Sequence, residues 1–241
     1  AHEYMKNHGI DINNVICHAP YIINLANREK EDSWNFSISF IKNEINRITQ
    51  MGINYIVIHP GNSLKLDRMT ALYNIADAIN NILDSDTKPM ILLETMAGKG
   101  TECGINIYEL KEILNHITLK NKVGLCLDTC HLNDSGVDIA EFDSYLNDLD
   151  KVKCIHINDS KNPIGSHKDR HANIGYGTIG FDNLINVLYN SKLKDVPKIL
   201  ETPWVGKYPP YKLEIDMIKS KKFNPNLEQD LEELYKNDPN F

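Results

Sequence analysis

The sequence predicts an α/β chain of repeated strand–helix units with every strand parallel, an arrangement that closes into a (β/α)8 barrel. Three observations carry that prediction. Short apolar runs of strand type recur about every 30 to 45 residues, the spacing of a βαβ unit. An amphipathic helical pattern falls between them. Each run ends on a single polar residue.

Taken in order, AHEYMKNHGI reads as the tail of a helix closed by Gly9. The first apolar run is VIC before His18, followed by YIVI before His59, MILL before Glu94 and GLCL before Asp128. KCI before His156 and KIL before Glu201 complete the set. Leu72, Ile75, Ala76, Ile79, Ile82 and Leu83 recur at helical spacing, as do Ile107, Leu110, Ile113, Leu114 and Ile117. Shorter helices are expected at Phe142, Tyr145, Leu146 and Leu149, at Phe181, Leu184, Ile185 and Leu188, and at Leu227, Leu231 and Leu234.

Six units are countable, against the eight of a closed barrel. Because the chain starts inside a helix, two βα units are expected to be missing from its N-terminus. No linker divides the chain, so residues 1–241 are expected to form one domain. An open, doubly wound six-stranded sheet is the alternative architecture.

Composition fits a globular intracellular protein, with 41% hydrophobic and 24% charged residues. No apolar run approaches a membrane span, and no signal segment opens the chain. Cys17, Cys103, Cys126, Cys130 and Cys154 mostly sit in apolar runs and read as buried thiols; Cys126 and Cys130 have no second pair with which to form a zinc ribbon. The net charge of −7 argues against a basic nucleic-acid footprint. Three bound divalent ions would nearly cancel it.

The six residues that end the strands, His18, His59, Glu94, Asp128, His156 and Glu201, are all metal-ligand types. In a parallel barrel they converge at the C-terminal mouth. A lone histidine after a strand is usually structural, but six such residues in six strands need another explanation. His131 in the DTCH turn, and Asp169 and His171 flanking Arg170, add three more candidates. Their simpler reading is loop hydrogen bonding, with Asp169 paired to Arg170. His2, His8, His116 and His167 read as surface or structural residues. Imidazoles mixed with carboxylates suit zinc, with Mn2+ or Fe2+ able to substitute, and nine ligands suit two or three ions. Clustered metals serve phosphodiester hydrolysis.

The stretches HAPYIINLA (18–26), HPG (59–61), LETMAGKG (93–100), GLCLDTCH (124–131), HINDSKNPIGSHKDRHANIGYGTIG (156–180) and LETP (200–203) resemble the endonuclease IV family. These are zinc-dependent enzymes that cut DNA at abasic sites. The resemblance implies three zinc sites: His18, His59 and Glu94; bridging Glu94 with Asp128, His156 and Glu201; and His131, Asp169 and His171. It implies Glu94 as the group that orients the attacking water, incision 5′ to the lesion, and products with a 3′-hydroxyl and a 5′-deoxyribose phosphate. The implied partner is double-stranded DNA carrying abasic sites, bound by a monomer in a DNA-containing compartment.

By the same resemblance Tyr21 and Ile22 enter the minor groove at the lesion. Lys161, Lys168 and Arg170 are expected to contact phosphate, and Asn158, Ser160 and Ser166 to donate hydrogen bonds to it. After His131 the family often carries small or apolar residues, where this chain has Asn133-Asp134-Ser135. A metal-dependent sugar isomerase or epimerase is the rival enzyme, since related barrels carry a quartet like Glu94, Asp128, His156 and Glu201. That rival has no use for His131, Asp169 and His171. A catalytically impaired DNA-binding fragment is the rival outside enzymes.

Overall fold

The computed structural model describes residues 2–147, 151–236 and 238. The elements run α1 (His2–Asn7), β1 (Cys17–His18), α2 (Glu31–Met51), β2 (Tyr55–Ile58), α3 (Arg68–Ile82), β3 (Met90–Glu94), α4 (Ile107–Asn115) and β4 (Val123–Asp128). They continue with α5 (Thr129–Ser135), α6 (Phe142–Asn147), β5 (Val152–His156), β6 (Asp159–Ser160), β7 (His171–Ala172), α7 (Phe181–Leu188), β8 (Lys198–Ile199), α8 (Tyr211–Ser220) and α9 (Leu227–Tyr235).

The main sheet has the order β1-β2-β3-β4-β5-β8, and every pairing in it is parallel. All six strands predicted from the apolar runs are present. A doubly wound sheet reverses its strand order at a switch point. Here the order never reverses, and the two faces are packed differently. Ile56, Ile58, Ile91, Leu93 and Leu125 share a buried cluster with the inward faces of α2, α3 and α4. Leu127 and Ile155 do the same with α6 and α7. On the opposite face Val57, Leu92, Cys126 and Cys154 pack against one another. One face covered by helices and the other filled by its own side chains describes the wall of a TIM barrel and removes the doubly wound alternative.

The five helices predicted from spacing form. Leu149, assigned to the third of them, lies outside the described residues. Three helices were not predicted. α2 runs over 21 residues from Lys30, which makes no side-chain cap, and its buried stripe includes Ser37 alongside Trp34, Ile38, Ile41, Ile45 and Ile48. α8 buries only Glu214 and Met217. α5 is seven residues long and starts at the DTCH turn, where the Asp128 side chain accepts from the His131 amide. Among the described residues no helix is long and apolar enough to cross a membrane. All five cysteines are free, with Cys17 half-buried and the others buried.

Candidate metal centre

Parallel strands deliver the last side chain of each strand to one rim, and the register shows how closely. Asp128 lies beside His156, and Glu94 beside Cys126, two residues short of level with Asp128. Glu94 is the hub. Its Oε2 lies 2.9 Å from His18 Nε2 and 3.1 Å from His59 Nε2. Its Oε1 lies 3.0 Å from His156 Nδ1. One carboxylate thus turns a separate oxygen to each of two imidazole groups. His156 Nδ1 also meets Glu201 Oε2 at 3.1 Å and Asp128 Oδ2 at 3.9 Å.

The remaining three candidates form a second focus on the same rim. Asp169 Oδ1 lies 3.2 Å from His131 Nε2 and 3.4 Å from His171 Nε2, and His171 Nε2 is 3.7 Å from Asp128 Oδ2. Asp169 therefore faces two imidazoles. Donor atoms of His18, His59 and Glu94, of His18, His156 and Glu201, and of His131, Asp169 and His171 lie within 4.8 Å of one another in each set. His18, His59, Glu94, His131, Asp169, His171 and Glu201 line a cleft of about 390 Å3 that also takes in Pro20 and Tyr21.

Several rings are held for ligation from behind. His18 Nδ1 lies 2.7 Å from the Ala19 carbonyl, His131 Nδ1 2.9 Å from that of Thr95, and His171 Nδ1 3.2 Å from that of Glu201. A carbonyl oxygen only accepts, so each Nδ1 carries a proton, and each Nε2, which faces carboxylate oxygen, is the nitrogen left to bind a cation once it gives up its own proton. His171 Nε2 is buried without a hydrogen-bond partner. Such an orphan, beside two carboxylates, fits a cation.

The electrostatics point the same way. Burial pushes the Glu94 carboxyl up, but hydrogen bonds from His156, His18 and His59 outweigh it and hold the group well below the usual carboxylate range. Burial lowers His131, and the negative charges of Asp128, Glu94 and Asp169 more than reverse this. His156 is likewise raised against burial by its bonds to Cys154, Glu201 and Glu94.

Three of the expected phosphate donors are corrected. Ser160 is fully buried, and its hydroxyl donates to Asp134 Oδ1 at 2.6 Å, so it is closed to DNA. Asn158 is buried too: its Nδ2 donates to Asp128 Oδ2 at 2.7 Å and its Oδ1 accepts from the Glu201 amide at 2.9 Å, tying two strand ends together. Ser166 Oγ is enclosed without a partner. Lys161, Lys168 and Arg170 are all exposed, and Tyr21 and Ile22 stand out at 84% and 58% exposure. His8 stacks on Tyr4, His116 meets Glu112, and the His167 ring meets the Ala97 carbonyl, and none of the three belongs to either focus; the His2 side chain lies outside the described residues. The orienting roles of Asn158 and Thr95 were missed. Their only sequence signal is position, one or two residues beyond a strand-end ligand.

The family of xylose isomerase-like TIM barrels matches residues 1–221. Probable endonuclease 4 of Mesoplasma florum is 44% identical over 228 residues, covering 92% of this chain and 78% of that protein. Probable endonuclease 4 of Ureaplasma urealyticum is 46% identical over 236 residues, 92% of this chain and 77% of that protein. Among solved structures, endonuclease IV from Thermus thermophilus superposes with a TM-score of 0.71 at 28% identity, over 85% of this chain and 74% of that one. A D-tagatose 3-epimerase-like protein reaches a TM-score of 0.72 at 21% identity, over 91% of this chain and 82% of that one, which is a likeness of fold. With its strand-end histidines and carboxylates gathered on Glu94 and relatives of this identity over most of its length, the chain belongs to the endonuclease IV family of xylose isomerase-like TIM barrels.

Proposed function

We propose that this chain is a zinc-dependent AP endonuclease of DNA repair, a monomeric single-domain hydrolase that cuts duplex DNA 5′ to an abasic site and leaves a 3′-hydroxyl and a 5′-deoxyribose phosphate. The observation that carries the reading is the pair of foci on one rim: imidazoles around both oxygens of Glu94, and His131 and His171 around Asp169. A sugar isomerase needs the first focus and leaves the second without a task.

His18, His59 and Glu94 would hold one zinc, Glu94 with Asp128, His156 and Glu201 a second, and His131, Asp169 and His171 a third. Bound there, zinc would supply Lewis acidity toward the phosphate and the leaving 3′-oxygen, and a water whose pKa is lowered from 15.7 toward about 7. Glu94 would orient the attacking water, a role supported by its two oxygens facing both imidazole groups of its focus. Tyr21 and Ile22, exposed next to the cleft, supply an apolar wedge for the gap left by a missing base. Lys161, Lys168 and Arg170 meet the flanking phosphates. The enzyme would act in a DNA-containing compartment inside the cell.

The test pairs metal analysis with incision of a duplex carrying one abasic analogue. About three zinc per chain and chelator-sensitive cleavage on the 5′ side are expected. Intact abasic duplex after prolonged incubation with fully loaded protein would end this reading.

A further inference from the structure

Behind the second focus lies a buried carboxylate that takes no part in the cleft. Asp134, on α5 three residues past His131, is fully buried, and its partners are neutral donors. Oδ1 accepts from Ser160 Oγ at 2.6 Å and from Asn133 Nδ2 at 3.0 Å. Oδ2 accepts from Asn162 Nδ2 at 3.1 Å and from the Asp169 amide at 2.9 Å. Its main-chain carbonyl accepts from the His167 amide, also at 2.9 Å.

The last two contacts decide what Asp134 is for. His167 and Asp169 both have left-handed backbone, with φ of 54° and 57°. A residue with a Cβ holds that conformation only where its surroundings impose it. Both amides end on the same residue, one on its carboxylate and the other on its carbonyl. Asp169 in turn delivers Oδ1 to 3.2 Å from His131 Nε2 and 3.4 Å from His171 Nε2. Shifting the Asp169 backbone out of this conformation would withdraw that oxygen from both rings.

We infer that Asp134 is a positioning residue for the third metal set, its carboxylate fixing the backbone of Asp169 so that this ligand reaches the space between His131 and His171. The inference rests on the three-ion reading of the site. It adds that the third ion is held by a tie from α5 across to the loop between β6 and β7.

Two kinds of substitution separate this role from simple packing. In Asp134→Asn the amide oxygen can take the place of Oδ2 and keep the Asp169 tie. Its NH2 group then faces Ser160 and Asn133, whose hydroxyl can turn and whose side-chain amide can flip to accept it. Asp134→Leu is similar in size and accepts nothing, and Asp134→Ser is polar but too short to reach Asp169. Zinc per chain is counted after equilibration with a zinc buffer, with a thermal melt of each loaded protein as the check on folding. Three ions are expected in the wild type and in Asp134→Asn. Two are expected in whichever of Asp134→Leu and Asp134→Ser folds, the affinity for the third having fallen about tenfold or more. Three equally tight ions in a folded leucine or serine variant, or loss of the third ion in Asp134→Asn as well, would overturn the role of Asp134 alone. Two or fewer ions in the wild type would instead overturn the three-ion reading and this inference with it.

Discussion

At the scale of single residues the account turns on Glu94, whose two oxygens face different imidazoles. Glu94→Gln replaces one of those oxygens with an NH2 group. Incision by this variant should fall by orders of magnitude while DNA affinity, measured by anisotropy, stays close to wild type. Asn158 acts one step further out, joining Asp128 to the Glu201 amide. Asn158→Ala should weaken zinc binding about 10- to 100-fold, read from competition with a chromophoric chelator. Acidity acts on the same atoms. His18, His131 and His156 are raised above the ordinary imidazole value of about 6.5 in the metal-free protein. Their stabilising effect there is fully present below that value and is lost as pH rises through the higher folded-state values. Zinc needs the neutral rings, so its binding expels those protons and tightens as pH rises. The gap in melting temperature between loaded and metal-free protein should therefore widen from pH 6 to pH 8. A constant or narrowing gap would mean the imidazoles are not the ligands.

At the scale of elements, the loop after β5 shows how polar sequence becomes a rigid mount. The Asp159 carboxylate is fully buried and accepts four amides: Ser160 and Ile179 on Oδ1 at 2.8 and 3.0 Å, Gly175 and Gly177 on Oδ2 at 3.1 and 3.0 Å. The IGYGTIG turn is thus wrapped around one side chain. A Cβ on Gly177 would come within 2.3 Å of the Ser160 carbonyl oxygen. Gly177→Ala should cost about 2 kcal/mol, or roughly 4 to 8 °C in melting temperature. Much at this scale was legible in the sequence. Apolar runs ending in a single ligand type gave six strands and their direction, because a parallel strand buried on both faces reads as a continuous apolar word. α8 was hidden because its inward face carries Glu214, which accepts from Thr202, Asn173 and the Ile174 amide. Ser160 and Asn158 were misread for a related reason. Polar residues in a loop look solvated in sequence, yet these two are buried where carboxylates need donors.

At the scale of the whole molecule the charge of −7 must be reconciled with a polyanionic partner. In the proposed function, metal on the rim and the solvent-facing Lys161, Lys168 and Arg170 would offset it locally. Replacing any one of the three with Ala should lower the slope of log K against log salt by about 0.9, with little change in preference for the lesion. The barrel wall explains why residues so far apart in the chain were recoverable as one site: parallel strands in unbroken order leave their last side chains on a common rim. The ties behind that rim come from side chains whose partners lie on other elements, such as Asp134 with Ser160 and Asp169, and one-dimensional spacing does not encode those meetings. The most direct test is anomalous diffraction at the zinc edge from crystals of the loaded protein. Three peaks are expected: one against His18, His59 and Glu94, one among Glu94, Asp128, His156 and Glu201, and one against His131, Asp169 and His171. A rim without peaks at full loading, or zinc bound elsewhere, would contradict the account.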